Sequence, residues 1–230
     1  MYIILGNGLL GSEIHKETNW VTVSRQDGFD FNDEYDILSV IEKYKPTTII
    51  NCIANTNTYS EDKELHWKTN YESLAFLVDT CVKRNIKLVH ISTDYVYTGS
   101  KTGASEKDIP VHCNSWYGYT KLIGDAYVQL KMKNYLLIRC SHKPTPFPYE
   151  LGVVSQVGNF DYVDVITSLI IKLIDNNRVG IYNVGTEPKT VYELAKQTNK
   201  HIRPMYNVLN SAMPTNITMD TTKMKGDIVL

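Results

Sequence analysis

Tyr117 and Lys121 have the residue types and the spacing of an acid–base pair. They stand four residues apart in Tyr-Gly-Tyr-Thr-Lys, so a helix would place both side chains on one face. A phenol has an ordinary pKa of about 10, and a nearby ammonium lowers such a pKa by roughly 1–3 units. We therefore predict that Tyr117 is a general acid–base near neutral pH that protonates a carbonyl oxygen. The hydroxyl of Thr93 would hold the same oxygen.

The Tyr-x-x-x-Lys pattern occurs five times in the chain, so the spacing alone does not identify a site. Only Tyr117 and Lys121 begin a helix after an apolar strand, predicted over 86–92, that leads into Thr93. A second pair, 127/131, lies about three turns further along the same helix. The pairs 59/63 and 97/101 fall in predicted loops. Position in the fold therefore selects Thr93, Tyr117 and Lys121 as the reactive set.

The first eleven residues predict a dinucleotide site. An apolar strand over 2–5 runs into Gly6-x-Gly8-x-x-Gly11, and a helix pattern follows. Gly6 would allow the tight turn, Gly8 the approach of a pyrophosphate, and Gly11 close packing of helix on strand. The phosphates would lie on the free N–H groups at the start of the helix. A glycine-rich turn of purely structural origin is the alternative.

The end of the second predicted strand, 20–23, bears on which dinucleotide binds. Ser24 and Arg25 stand where an acidic residue would take the ribose hydroxyls of NAD, whereas an arginine accommodates the 2′-phosphate of NADP. Arg25 therefore favours NADPH, with NADH as the alternative. The other interpretation is that Arg25 is an ordinary solvent-exposed loop residue with no role in binding. Asp30 and Phe31 follow, in a stretch that either holds the adenine or caps the next helix.

The remaining elements predict an α/β fold. Strands at 2–5, 20–23, 47–54, 86–92 and 135–140 alternate with helices at 35–45, 65–84 and 116–131. This order predicts a Rossmann-type, doubly wound parallel sheet over residues 1–141. Prolines interrupt the pattern over 143–148. Residues 142–230 are expected to be mostly a small C-terminal substrate-binding lobe, with some segments returning to the sheet.

Composition excludes several classes of function. The net charge of −1 over 230 residues predicts no nucleic-acid partner. No apolar stretch approaches the roughly 20 residues of a membrane helix. The four cysteines are spread without Cys-x-x-Cys pairing, which favours reduced thiols in the cytoplasm. We predict no metal site, and a homodimer is left open.

Three motifs together resemble the extended short-chain dehydrogenase/reductase family. They are the glycine turn, Ile-Ser-Thr-Asp-Tyr-Val-Tyr at 91–97 and Tyr-Gly-Tyr-Thr-Lys-Leu at 117–122. Within the family the likeness is greatest to the dTDP-4-dehydrorhamnose reductases, over roughly residues 1–141 and again at 214–224. The resemblance implies NAD(P)H-dependent reduction of the 4-keto group of a nucleotide-activated 6-deoxyhexose, of the dTDP- or UDP-4-keto-rhamnose type.

The resemblance also implies a role for each matching position. Thr93, Tyr117 and Lys121 would be catalytic, and the last two would also touch the cofactor. Asn70 would help to position the lysine. The expected cofactor contacts are the backbone of Gly8, Leu9 and Leu10, Asp30 and Phe31 at the adenine, and Ile53, Ala54 and Asn55 on its other side. The expected sugar contacts are Asp94 and Tyr95. His142, where the sequence departs from the family pattern, is a further candidate for a sugar contact, and a hydrogen-bonded polar residue without that role is the alternative.

Other activities stay open at this stage. Tyr95 occupies the place of the glutamate of sugar-nucleotide dehydratases and of the cysteine of epimerases, although His112 and Cys113 form a substitute pair for an epimerase. A non-catalytic dinucleotide-binding subunit, like the methionine adenosyltransferase regulatory subunit, is a further alternative. His142 stands near the place of a family tryptophan, and the segment 141–160 is short. The sugar pocket is therefore expected to be reduced, more open, or completed by another subunit.

Overall fold

The computed structural model describes residues 1–108, 115–206 and 213–228. The strands are β1 (Tyr2–Leu5), β2 (Val21–Val23), β3 (Thr48–Asn51), β4 (Lys87–Thr93), β5 (Tyr135–Cys140), β6 (His142–Lys143), β7 (Leu151–Val153), β8 (Val157–Gly158), β9 (Asp161–Tyr162), β10 (Gly180–Asn183), β11 (Lys189–Thr190), β12 (Arg203–Met205) and β13 (Asn216–Ile217). The helices are α1 (Leu9–Thr18), α2 (Glu34–Tyr44), α3 (Lys63–Trp67), α4 (Ser73–Arg84), α5 (Trp116–Lys131), α6 (Val163–Asp175), α7 (Val191–Lys196) and α8 (Thr222–Ile228). None of these helices is long and apolar enough to cross a membrane.

Six parallel strands form the central sheet in the order β10-β5-β4-β3-β1-β2. Ile3 and Leu88 pack with α2, α4 and α5 on one face, and Ile4 and Val89 pack with α1 and α6 on the other. Because both faces are covered, the inner strands read as nearly unbroken apolar runs. The predicted doubly wound α/β fold is confirmed, and the predicted bounds of α5 and β5 are those of the structure.

The glycine turn joins β1 to α1, which already begins at Leu9. Gly6 has a positive φ of 94°, a conformation that favours glycine. Gly11 packs against the turn so closely that a Cβ there would lie 1.9 Å from the Gly6 carbonyl oxygen. Gly8 is different, because nothing lies within 4 Å of the place where its Cβ would be. The strand, turn and helix therefore form one tightly packed unit that is open at Gly8.

The prediction of one continuous α-helix over 65–84 was wrong, because the helix is interrupted. A π-helical turn, Lys68–Glu72, separates α3 from α4. Such turns are rare and often occur at functional sites. This one contains Asn70, whose amide makes long-range hydrogen bonds described below.

The segments after Ser141 have two destinations. α6 and β10 complete the central sheet and its second face. The short strands β7, β8, β11, β12 and β13 and helix α7 surround a separate apolar cluster that includes Phe147, Phe160 and Tyr162. The assignment of this second group to a substrate-binding lobe stays a prediction.

We expect Gly11→Ala to destabilise the protein strongly, because its methyl group would overlap the Gly6 carbonyl and force α1 away from β1. Overpacking of this kind costs about 1–3 kcal/mol or more of unfolding free energy. Gly8→Ala is the matched control and should fold like the wild type. Urea unfolding of the three proteins measures the difference, and equal stability of both variants would contradict the packing described for Gly11.

Candidate active site

Thr93 and Tyr117 meet at the carboxyl end of β4. Thr93 is the last residue of that strand, and Tyr117 lies in the first turn of α5. The Ser115 side chain caps α5 by accepting a hydrogen bond of 3.1 Å from the Gly118 N–H. The Thr93 hydroxyl is near enough to that of Tyr117 to lower the pKa of Tyr117. The hydrogen bonds of Thr93 Oγ1 are made elsewhere, since it donates to Asp94 Oδ1 at 3.3 Å and accepts from the Tyr95 N–H at 3.2 Å. The catalytic partnership of Thr93 and Tyr117 stays a prediction.

Lys121 is placed differently from the prediction. Its side chain is 1% exposed, and its Nζ donates to the Ile91 carbonyl at 2.7 Å and lies 3.1 Å from His90 Nε2. Burial lowers the pKa of Lys121 to about 8. The Lys121 amino group is thus hydrogen-bonded to the strand beneath the helix, because the Ile91 carbonyl is within reach of a side chain that points inward from α5.

The expected lowering of the Tyr117 pKa is therefore wrong for this state of the protein. Burial raises the pKa of Tyr117 above its ordinary value, and the nearby Thr93 hydroxyl only partly opposes that change. Tyr117 consequently holds its proton at neutral pH. A protonated phenol is the form that can donate to a carbonyl oxygen, whereas a base would need the phenolate.

A cleft of about 440 Å³ opens beside the glycine turn. The predicted residues that line it are Gly6, Gly8, Ser24, Arg25, Asp30, Phe31, Ile53, Ala54 and Asn55. Asn32, Thr56 and Asn57 also line it, and they lie in the two stretches that the sequence marked as ligand-binding. Others that the sequence did not reveal are Asn7, Phe29, Cys52, Leu65 and Thr69. These come from the loops after β1, β2 and β3, from α3 and from the π turn that follows it.

Five of the predicted cofactor residues, Leu9, Leu10, Gly11, Tyr117 and Lys121, do not line the cleft. Leu10 is 4% exposed and packs in the core, and Gly11 supports the turn from behind. Leu9 is exposed but does not line the cleft, and neither do Tyr117 and Lys121. Their contact with a cofactor stays a prediction.

The polar side chains at the cleft have distinct tasks. Ser24 caps the turn Arg25–Asp27, where its hydroxyl accepts from the Gln26 N–H at 3.2 Å. Asp30 accepts from the Asn32 N–H at 2.9 Å, while Phe31 packs into the core with 3% exposure. Arg25 is exposed at the rim and has the one guanidinium among the residues that line the cleft in the described structure.

Asn70 ties the cleft to the catalytic helix. Its Oδ1 accepts from the Asn55 N–H at 2.8 Å, and its Nδ2 donates to the Asn55 carbonyl and to Thr120 Oγ1, each at 3.1 Å. Contrary to the expectation, the Asn70 side chain makes no hydrogen bond with Lys121 in the described structure. Asn70 instead fixes the loop after β3 against α5, one residue before Lys121.

Asp94 is fully buried next to Thr93. Its pKa is raised to about 7 by burial, although the Lys143 ammonium and the Thr93 hydroxyl oppose the change. The Tyr95 hydroxyl oxygen lies 3.4 Å from Tyr59 Oη and 3.4 Å from Gln156 Nε2. The Tyr95 ring packs edge-on against that of Tyr117, with 5.9 Å between the ring centroids. Gln156 comes from the segment after β7, so a polar wall crosses from the sheet to the later segments.

His142 follows β5 at the same edge. Burial lowers its pKa to about 4, so the imidazole is neutral at pH 7. Its Nδ1 is buried and has no hydrogen-bond partner among the described residues. Lys143 and Gln156 were not predicted from the sequence, and no spacing signal marks them. His112 and Cys113, the substitute pair for an epimerase, lie outside the described residues.

A buried ion pair holds the catalytic helix in place. Arg139 on β5 donates to Asp125 Oδ2 at 3.1 Å and to Tyr97 Oη at 2.8 Å, and Tyr97 donates to Asn183 Oδ1 at 2.8 Å. These contacts join α5, β5, β10 and the turn after β4. Tyr97 is thus a structural core residue and not part of a surface pair with Lys101.

The fold and this edge of the sheet, with Thr93 near Tyr117, a buried Lys121 and a cleft at the glycine turn, have the arrangement of the short-chain oxidoreductase class. The family described as the RmlD substrate binding domain matches residues 1–142. The chain belongs to this family.

Individual relatives extend the likeness beyond residue 142. A dTDP-4-dehydrorhamnose reductase of Aggregatibacter actinomycetemcomitans is 24% identical over 85% of this chain and 80% of its own. The methionine adenosyltransferase 2 subunit beta of Xenopus laevis is 24% identical over 95% of this chain and 79% of its own. The crystal structure of a dTDP-4-dehydrorhamnose reductase from Bacillus anthracis in complex with NADP superimposes with a TM-score of 0.85 at 23% identity, covering 100% of this chain and 93% of that one.

We expect Asp94→Asn to stabilise the protein more at pH 8 than at pH 5. The folded-state pKa of about 7 lies above the ordinary 3.8, so the penalty for a buried carboxylate is absent at low pH and grows as the pH rises from about 4 to 7. At about 1.4 kcal/mol per pKa unit, the gain at pH 8 should exceed that at pH 5 by roughly 2 kcal/mol.

Urea unfolding at the two pH values measures this difference. Asp175→Asn, at the exposed end of α6, is the matched control and should show no such pH dependence. An equal effect of Asp94→Asn at both pH values would refute the buried, proton-binding carboxyl.

Proposed function

We propose that the protein catalyses NAD(P)H-dependent reduction of the 4-keto group of a nucleotide-activated 6-deoxyhexose, with a dTDP or UDP carrier. The observation that carries the proposal is the proximity of Thr93 to a protonated Tyr117, in a fold that also has a cleft of about 440 Å³ at the glycine turn. The names of the dTDP-sugar reductases in the same family support the substrate class.

The residues of the cleft fit a dinucleotide. Gly8 is open on the side where a side chain would stand, so the backbone N–H groups at the start of α1 are free to meet a pyrophosphate. Ile53, Ala54 and Asn55 would lie along the adenosine half, together with Asp30 and Phe31. The reduced nicotinamide supplies the hydride when it is bound.

The chain's own residues would handle the proton and the orientation. Tyr117 donates its phenolic proton to the C4 oxygen as negative charge develops there, and Thr93 holds that oxygen through its hydroxyl. Asp94, Tyr95 and His142 would face the sugar, where a neutral imidazole with a free Nδ1 is able to accept from a sugar hydroxyl. Lys121 would act on Tyr117 and the cofactor only after leaving its contacts with His90 and Ile91.

Compartment and assembly are also part of the proposal. The three described cysteines, Cys52, Cys81 and Cys140, are unpaired, which suits a cytoplasmic protein. The exposed Tyr119 and Leu130 give α5 an apolar surface for a homodimer.

A second candidate is a non-catalytic dinucleotide-binding subunit. The likeness to the Xenopus laevis subunit beta over 95% of this chain favours it. In that case the chain would bind NADPH, turn over no keto sugar, and copurify with a partner. An epimerase would instead wash deuterium from heavy water into C3 or C5 of the sugar.

We expect Tyr117→Phe to lower kcat by about 10²–10⁴-fold, the usual contribution of a general acid, while NADPH binding is retained. NADPH oxidation with dTDP- and UDP-4-keto-6-deoxyhexoses measures the rate. Tyr127→Phe is the matched control, since Tyr127 is in the same helix four residues before Lys131 but bonds Asp79 at the surface. Unchanged turnover in Tyr117→Phe would count decisively against the proposal.

We expect Arg25→Gln to raise the KM for NADPH about tenfold and to leave that for NADH nearly unchanged. The reason is the loss of a charged hydrogen bond to the 2′-phosphate, worth about 1.5–3 kcal/mol. Arg203→Gln, on exposed β12, controls for the loss of charge. Equal effects on both cofactors would argue against a role of Arg25 in their discrimination.

A further inference from the structure

A buried polar chain connects the cleft to Lys121. The Ile53 N–H donates to Asn51 Oδ1 at 3.0 Å, and Asn51 Nδ2 lies 3.3 Å from His90 Nδ1. His90 Nε2 lies 3.1 Å from Lys121 Nζ, which donates to the Ile91 carbonyl at 2.7 Å. Asn51 and His90 are register partners on β3 and β4, and the side chains of Asn51, His90 and Lys121 are each at most 1% exposed.

The donors and acceptors of this chain have one consistent assignment. Because Asn51 Oδ1 already accepts from the backbone, the amide nitrogen must face His90, and its N–H donates to Nδ1. The imidazole proton then sits on Nε2 and points at Lys121. Lysine Nζ can accept that proton only through a lone pair, that is, as a neutral amine. An ammonium would leave two donors facing each other.

We propose that Asn51 and His90 are positioning residues that disfavour the ammonium form of Lys121, so that at mildly alkaline pH it is a neutral amine turned toward Ile91, and that Lys121 gains its charge there when a dinucleotide fills the cleft. The second half rests on the proposed function. The step takes one proton from solvent, which forms the third N–H bond on the Nζ lone pair.

The link to the cleft runs through one residue. Ile53 lines the cleft with its side chain and donates its backbone N–H to Asn51. A ligand that presses on this loop therefore acts on the first hydrogen bond of the chain. Sequence reasoning selected Ile53 as a cofactor contact but not Asn51 or His90, since their pairing depends on strand register.

The other groups that face Lys121 do not replace this chain. Asp125 lies one turn along α5, but its carboxylate is paired with Arg139 at 3.1 Å. Cys140 on β5 and Cys52 after β3 favour the ammonium weakly. Burial outweighs all three and lowers the pKa of Lys121 to about 8, in agreement with an amine above that pH.

The direct test is an NMR titration of the protein without cofactor, labelled with ¹³Cε-lysine, with the Lys121 resonance assigned from its loss in Lys121→Arg. We expect a midpoint near pH 8. In Asn51→Asp, a carboxylate oxygen faces His90 and accepts a hydrogen bond from Nδ1. The imidazole proton therefore moves from Nε2 to Nδ1, and Nε2 becomes an acceptor that faces Lys121. The midpoint should then rise by about one unit or more.

Two further variants keep the test sharp. Asn134→Asp adds the same charge at an exposed site and should leave the midpoint unchanged. If Asn51→Asp does not fold, His90→Gln can turn its amide oxygen toward Lys121, which replaces the donor by an acceptor and should also raise the midpoint. A wild-type midpoint near the ordinary value of about 10.4, or the same midpoint in wild type and variant, would overturn the proposal.

A second readout tests the coupling to the cleft. Calorimetry of NADP⁺ binding at pH 8.5, in buffers of different ionisation enthalpy, should show proton uptake by the wild type that falls toward zero in Asn51→Asp. Binding without uptake would overturn the coupling. Absence of NADP⁺ binding, with the NMR midpoints as expected, would instead refute the proposed function and leave the positioning chain intact.

Discussion

The approach of Tyr117 to Thr93 is the constraint on which the site depends. It joins the end of a central strand to the start of α5, and neither residue could be placed by its own element alone. Ser115 begins the helix in the right place, and the ion pair of Arg139 with Asp125 fixes the helix against the sheet. The reactive edge is therefore rigid because buried polar contacts hold it from several directions.

Burial sets the protonation of this edge. It raises the pKa values of Tyr117 and Asp94 and lowers those of Lys121 and His142. Each change disfavours the charged form, as expected when a group leaves water without a full partner. A reductase needs the proton of Tyr117 in place before reaction, and the raised pKa of Tyr117 keeps that proton in place at neutral pH.

Local sequence predicted the elements well where one physical rule dominates. The glycine turn follows from backbone freedom at Gly6 and close packing at Gly11, and α5 follows from its cap and its periodicity. The partner of Lys121 could not be predicted, because His90 is brought to it by sheet register and helix packing together. The π turn at Asn70 was missed for a similar reason: its hydrogen bonds reach residues 15 and 50 positions away.

The proposed reduction is tested most directly by following the hydride itself. NADPH carrying deuterium at both hydrogen positions of nicotinamide C4 is incubated with the protein and a nucleotide-4-keto-6-deoxyhexose, and the product is examined by mass spectrometry and NMR. Reduction as proposed places one deuterium on C4 of the sugar. A protein that binds the cofactor but yields no deuterated sugar, or that exchanges only C3 or C5 with solvent, would contradict the proposal.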